Sequence, residues 1–476
     1  TWTISAVCAK AIATGMVHME NLLLVTFNRS AARELHGRVY ERLLNTRLLL
    51  AGSREPSDPC DESLLELGRE GLARVESALD TFDRAVITTT HEFASRMLVE
   101  LGALSDHDPS SALMTDLTPL ATEVSDDHYL AQYLDCDWPP SVHEKRKLSR
   151  DVAVKYGEVP ISSEEGAETS SQDVLWAQSV REDVRRRSKS RAVHTFDDLI
   201  GDLVGALRDP YRGPLACATL AHRFELVMVD EFQDTDPLQW EILRRAFHGH
   251  SNLWLIGDPK QSIYAFRGAD VHAYQDAARS ASHVLHLDVN YRADKPIVEA
   301  VNTLFGNAQL GHGVPMEPVT AHHQESRIKT AATDGPRYHW SQPFQIRCLQ
   351  APADAQQDTA DSDQFVAEDL VNQVIMMLEG GTVIADDDDE ERPLCPNDIA
   401  ILVRTRRRGA ELATALSQAH QPAVFSGASP VWSSQATEDL ITLLEALENT
   451  DERLRTRLYL SDLIGATPAD LAASDS

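Results

Sequence analysis

The chain has 476 residues, 42% of them hydrophobic, and a formal net charge of −30 at pH 7. That length supports roughly two to four domains, and the acidity excludes a protein coated in basic surface while leaving room for a local nucleic-acid groove. No apolar run reaches the roughly 18 residues of a membrane-spanning helix, and six cysteines (Cys8, Cys60, Cys136, Cys217, Cys348, Cys395) without a C-x-x-C pair argue against a disulfide framework and fit a reducing cytoplasm.

In chain order, residues 2–14 read as a helix ended by Gly15, and the apolar run from Leu22 to Phe27 as a strand. A helix follows from Ser30 to Leu50, then a short strand Val86-Ile87-Thr88-Thr89 and a helix from His91 to Leu101. This alternation is the pattern of a parallel α/β sheet. Residues 102–175 are rich in Asp, Ser and Pro and break the rhythm, so 99–194 reads as an inserted, mostly helical segment. It ends in a basic helix (Arg181, Arg185, Arg186, Arg187, Lys189, Arg191) that either contacts phosphates or is a solvated face. The rhythm resumes with strands at Glu225–Val229, Leu253–Ile256 and His286–Val289 and a helix from Pro296 to Phe305. Residues 306–342 and 351–364 read as loops, and the acids from Asp386 to Glu391 as a solvated linker. Asp398–Val403 reads as a strand, Gly409–Ala419 as a helix, and 436–476 as helical. The pairs His322-His323 and His248/His250 lack zinc-like partners and read as solvated loop histidines.

Ligands of open parallel sheets sit outside the carboxyl ends of the strands, and the strand ends here carry suitable chemistry. Asp230-Glu231 closes an apolar run: one carboxylate suits a magnesium ion and the next can orient and deprotonate a water. Gln233 and Asp234-Thr235-Asp236 strengthen that signal. Gln261, in the turn Gly257-Asp258-Pro259-Lys260-Gln261, has an amide suited to a γ-phosphate oxygen. Tyr264 and Phe266 follow it, either as a stacking platform for single-stranded bases or as core aromatics. Arg292, in Asn290-Tyr291-Arg292, has the permanent forked charge that suits a γ-phosphate.

These segments resemble, in order, the motifs of UvrD/Rep-type superfamily-one DNA helicases. Thr26 to Leu35 resembles motif Ia, Thr90 to Phe93 motif Ib, and Thr195 to Leu199 the segment ahead of motif II. Asp230 to Gln239 resembles motif II, Gly257 to Asp270 motif III, Asn290 to Arg292 motif IV, and Asp398 to Arg404 the strand that opens the later motifs. Within that family Gly257-Asp258-Pro259-Lys260 with Phe266-Arg267-Gly268-Ala269-Asp270 is most similar to the RecB-like members.

The resemblance implies a RecA-like parallel-sheet P-loop NTPase fold. Residues 1–98 and 195–305 would form the first RecA-like domain, 99–194 a helical insertion, 306–430 the start of a second RecA-like domain, and 431–476 the start of a further helical insertion. It implies ATP- and Mg2+-dependent 3′→5′ movement on single-stranded DNA from duplex ends, with RecC- and RecD-like subunits as partners. Asp230 would be a magnesium carboxylate, Glu231 the base, Gln261 and Arg292 γ-phosphate contacts, and Tyr291 would stack near the adenine. Thr26, Phe27, Thr90, His91, Tyr264 and Phe266 would line the DNA track. No G-x-x-x-x-G-K-[ST] loop, motif V or motif VI occurs in the sequence. Thr1 precedes a helix and then a strand, the layout that follows such a loop, so Thr1 is expected to be its final residue with a hydroxyl on magnesium. On that expectation this polypeptide alone hydrolyses ATP poorly. A UvrD-type helicase acting alone and a helicase-like scaffold that does not hydrolyse ATP stay as alternatives, although the set Asp230, Glu231, Gln261 and Arg292 weighs against the scaffold.

Overall fold

The computed structural model describes residues 2–108, 110–114, 116–154, 161, 171–264, 269–306, 308–329, 344–348, 359–385, 390–425, 435–448, 452–459, 461 and 463–466. The expectations for Thr1, Phe266 and the acids at 386–389 therefore lie outside the described residues. The chain divides into two compact units, Thr1–His286 with Gln309–Met316, and Leu287–Ala308 with Glu317–Ser476.

The first unit is built on a four-stranded parallel sheet whose two central runs, Leu22–Thr26 and Leu226–Val229, are buried on both faces, while the edge run Asn252–Leu255 leaves one face exposed. Helix α1 (Trp2–Thr14) leads to β1 (Leu22–Thr26), α2 (Arg29–Leu50), α3 (Pro59–Leu65), α4 (Gly68–Asp80), β2 (Val86–Thr89) and α5 (Thr90–Leu101). Then come the two-residue strand β3 (Ala112–Leu113), α6 (Thr118–Tyr133), α7 (Val142–Leu148), α8 (Ser171–Ser190) and β4 (Val193–His194). The chain returns through α9 (Phe196–Arg208), α10 (Gly213–Arg223), β5 (Leu226–Val229), α11 (Pro237–Ala246), β6 (Asn252–Leu255) and α12 (Val271–Ser280).

The strand order is β2-β1-β5-β6 and every neighbouring pair is parallel. Alternation along the strands splits the core in two. Leu23 and Val25 of β1 and Val227 and Val229 of β5 face a layer that includes α5, α9 and α11, where Phe93, Phe224 and Phe247 meet. Leu22, Leu24, Leu226 and Met228 face the other layer, formed with α1, α2 and α4. From β1 the chain passes to β2 on one side, and β5 joins β1 on the other, so the order reverses between β1 and β5. Such a reversal opens a crevice at the carboxyl ends of the two strands.

Caps fix where the helices bordering that crevice begin. Asn28 accepts the Ala31 N–H at 2.8 Å to start α2, and Thr89 accepts the Glu92 N–H at 3.4 Å to start α5. Thr195 and Asp198 form a reciprocal capping box on α9.

Helices α6, α7 and α8 have a small core of their own, with Leu120, Val124, Trp176 and Val180 buried. The basic stretch of α8 turns toward α6: Arg187 bonds Glu123 and Asp127, and Arg191 bonds Glu123. Arg187 of α8, and Arg191 one residue past its end, are thus spent on acids of the neighbouring helix.

In the second unit Val289–Asn290 pairs in parallel with Thr320–Ala321, and Val383–Ala385 pairs antiparallel with Ile328–Lys329 and with Glu391–Pro393. Helix Thr359–Glu379 packs on helix Arg406–Gln418 through Val371, Val374 and Leu416. The strand expected at Asp398–Val403 is not formed. Pro396–Asp398 is a turn of 3₁₀ helix, and 399–403 has no ladder partner among the described residues. A strand exists through pairing, so an apolar run without a neighbour stays irregular. Its alternation survives, with Ile399 and Ile401 turned to the core and Leu402 96% exposed. Residues 359–364, expected as loop, belong to a helix.

Candidate active site

At the mouth of the crevice the chain leaves β5 through a tight, pinned turn. The Asp230 N–H donates to the Val25 carbonyl and the Phe232 N–H to the Ile256 carbonyl, both at 2.9 Å. Between them Glu231 takes a left-handed conformation, φ 54°, which costs a non-glycine residue about 1 kcal/mol. Such strain persists where surroundings over-determine it, and it collects at functional positions. The Glu231 side chain is exposed to the crevice, while Asp230 is half-buried and its Oδ1 accepts the Glu231 N–H at 3.1 Å. Burial raises the Asp230 carboxyl above the ordinary range, and the charge of Glu231 pushes it the same way.

Gln233 ties this turn to the next strand end. Its buried amide donates from Nε2 to Glu231 Oε2 at 2.5 Å and accepts the Asp258 N–H on Oε1 at 3.0 Å. Its carbonyl accepts the Ser262 hydroxyl at 3.2 Å. Asp258 in turn holds Lys260 Nζ at 2.8 Å and Gln261 Nε2 at 3.1 Å. Burial alone would raise the Asp258 carboxyl, but Lys260 and Gln261 outweigh it and hold it below the usual range. A continuous relay thus runs from Glu231 through Gln233 and Asp258 to Gln261. Gly257 permits it, because a Cβ there would lie 2.6 Å from Gln233 Oε1. Gln233 and Asp258 were not among the site residues expected from sequence. The available signal was the spacing of Gln233, two residues beyond Glu231 on the same turn.

Asp234 ends the turn with its Oδ1 buried and without a hydrogen-bond partner. Burial, aided by the charge of Glu231, pushes its carboxyl from 3.8 up to about 6.

A row of rings runs along the same edge. Phe27, one residue beyond β1, stacks on Tyr264 with ring centres 5.1 Å apart and planes 24° apart. Arg29 lies 5.9 Å over the Phe196 ring, and Phe196 meets the edge of His91 at 5.9 Å. His91 Nε2 is 3.8 Å from Asp197. The structure therefore brings Phe27, Tyr264 and His91 to one edge. Thr90 is half-buried at the start of α5, and Thr26 is buried with its hydroxyl donated to the Asn28 carbonyl at 3.1 Å.

Tyr291 and Arg292 belong to the second unit and are held there by local bonds. Asn290 Oδ1 accepts the Arg292 and Ala293 N–H groups, each at 2.9 Å. Arg327 pairs with Asp294 at 2.7 Å and donates to the Arg292 carbonyl at 2.6 Å. Tyr291 is 64% exposed and its ring lies 4.5 Å from that of His322.

No cluster of three metal-ligating side chains occurs among the described residues. A magnesium ion in a nucleotide site keeps water and phosphate oxygens and takes one or two carboxylates from the protein. Asp230, half-buried with one oxygen left for a ligand, suits that part.

A parallel sheet packed between helical layers, with an acid pair at its reversal point, defines an α/β domain of the RecA-like kind. The chain belongs to the UvrD/REP helicase N-terminal domain family, which it matches over residues 1–282. It is 34% identical to the RecBCD enzyme subunit RecB of Mycobacterium tuberculosis (strain ATCC 25618 / H37Rv), across 94% of this chain and 41% of that protein. It is 33% identical to the RecB subunit of Mycolicibacterium smegmatis, across 99% of this chain and 43% of that protein. The ATP-dependent DNA helicase UvrD1 of Mycobacterium bovis is 27% identical across 60% of this chain and 32% of that protein. The chain spans about two fifths, 41% and 43%, of the length of the two RecB relatives.

Proposed function

We propose that this chain is the motor part of an ATP-dependent 3′→5′ DNA helicase or translocase, a RecB-like helicase–nuclease subunit serving double-strand-break repair and recombination. The observation that carries the reading is the relay from Glu231 through Gln233 and Asp258 to Gln261. It joins the hydrolytic acid to the segment that bears Tyr264, which stacks on Phe27. A change at the nucleotide thereby reaches the ring stack that would hold bases.

In this reading Asp230 holds a magnesium ion, and the ion neutralises phosphate charge when bound. Glu231, aimed by Gln233, takes the proton of the attacking water. Gln261 contacts the γ-phosphate, and so does Arg292, an assignment that rests on motif position. Tyr291 stacks on adenine, and Thr1 binds magnesium through its hydroxyl, again by motif position. Phe27, Tyr264, Phe266, Thr26, Thr90 and His91 line the single strand. The partners are single-stranded and duplex-end DNA and RecC- and RecD-like subunits, in the cytoplasm.

Identity extending over 94% of the chain with RecB, against 60% with UvrD1, favours the RecB-like reading over a helicase acting alone. The test is strand displacement by the full-length protein on duplexes with 3′ or 5′ single-stranded tails. ATP-dependent unwinding from the 3′ tail supports the proposal. Unwinding from the 5′ tail alone contradicts it.

A further inference from the structure

We propose that His322 is a positioning residue for the nucleotide base: it braces the ring of Tyr291 from behind, and His323 locks the backbone beneath it. The inference rests on the reading that Tyr291 stacks a base, and adds residues to which that reading gave no part.

Register brings the rings together. Val289 and Asn290 pair in parallel with Thr320 and Ala321, so the next residues along, Tyr291 and His322, fall side by side. The ladder continues past the strand end, since the His322 N–H donates to the Asn290 carbonyl at 2.9 Å. Parallel neighbours stand about 4.8 Å apart, and the two ring centres are 4.5 Å apart with planes 30° apart. No planar base fits between rings that close, so a ligand must use the other face of Tyr291, a residue 64% exposed overall.

His323 then fixes the backbone. Its Nε2 lies 3.1 Å from the Tyr291 carbonyl, and a carbonyl only accepts, so Nε2 carries the proton. Its ring stands edge-on to His322 at 5.1 Å, 82° between planes. Its own carbonyl accepts the Lys295 N–H at 2.9 Å, at the start of helix Lys295–Phe305. Tyr291 is therefore ordered before any ligand arrives, which lowers the entropy lost on stacking. Neither histidine touches the reacting atoms, so the effect falls on binding and not on turnover.

The experiment compares His322→Ala, His322→Phe and Tyr291→Ala in the full-length protein. It reads the KM for ATP in hydrolysis, the affinity for ADP carrying a fluorescent ribose label, and inhibition by inorganic tripolyphosphate, which has no base. His322→Ala should raise the KM and weaken the labelled ADP by roughly three- to tenfold, the scale of an aromatic pair. Its kcat should hold within about twofold, and tripolyphosphate inhibition should not change. His322→Phe should restore the KM because a ring again backs the tyrosine. The brace is overturned if His322→Ala leaves the KM unchanged while Tyr291→Ala raises it. It is equally overturned if the Phe and Ala variants are impaired alike, or if tripolyphosphate weakens with ATP. Should Tyr291→Ala itself leave the KM unchanged, the base-stacking reading of Tyr291 fails, and the brace with it.

Discussion

Gln233 illustrates how one amide can join two strand ends. Its Nε2 has one acceptor, Glu231, and its Oε1 one donor, the Asp258 N–H, so both ends of the side chain are committed. Gln233→Ala should lower kcat for ATP up to about 100-fold, the cost of a misplaced catalytic group, with the KM little changed. Gly257→Ala pushes on the same amide, since its Cβ would crowd Oε1. The double variant should therefore be no slower than the worse single one, and multiplied losses in a steady-state cycle would separate the two residues. Asp234 gives a prediction with a sign. Its carboxyl is raised from 3.8 to about 6 in the fold, so the folded state holds the proton longer than the unfolded chain. Stability is lost as pH rises from about 3.8 through about 6, and the deficit persists above. Asp234→Asn removes the ionisation, so urea melts should show it gaining on the parent at pH 7.5 compared with pH 4.5. An equal difference at both values would contradict the assignment. The acids at 230 and 231 were legible because an apolar run ended in them. The link from Gln233 to Asp258 and the pairing of His322 with Tyr291 were not, because those partners arrive from neighbouring strand ends and not by proximity in the chain.

Among the elements, the parallel strands were legible where an apolar run had neighbours to pair with. Leu22–Thr26 and Leu226–Val229 lie in the middle of the sheet and were readable within a residue or two. Asp398–Val403 is as apolar and forms no strand, since hydrogen-bonded neighbours decide the outcome and composition does not reveal them. Helix α8 makes the complementary point. Its arginines allowed either phosphate contact or a solvated face, and sequence has no means of placing Glu123 and Asp127 beside Arg187. Exposed pairs of this kind contribute about 0–1 kcal/mol each. Arg187→Ala with Arg191→Ala should therefore cost little stability and leave the salt dependence of single-stranded DNA binding unchanged. A shallower slope of log affinity against log salt would show that these cations meet phosphates after all.

At the scale of the whole molecule, the acid pair of motif II and the Phe27–Tyr264 stack lie in one unit and the Tyr291–His322 pair in another. Each unit carries its part on its own local framework of caps, ladders and side-chain bonds. The account therefore turns on whether the acid pair drives hydrolysis that DNA controls. The most direct measurement is ATP turnover by full-length protein with and without single-stranded DNA, for the parent and for Glu231→Gln, beside the affinity of each for ATP. The account predicts DNA-stimulated turnover in the parent. In Glu231→Gln it predicts turnover lowered by roughly 10²–10⁴-fold, with ATP bound about as tightly as before. Parental turnover in Glu231→Gln would remove Glu231 from the chemistry and contradict the central claim.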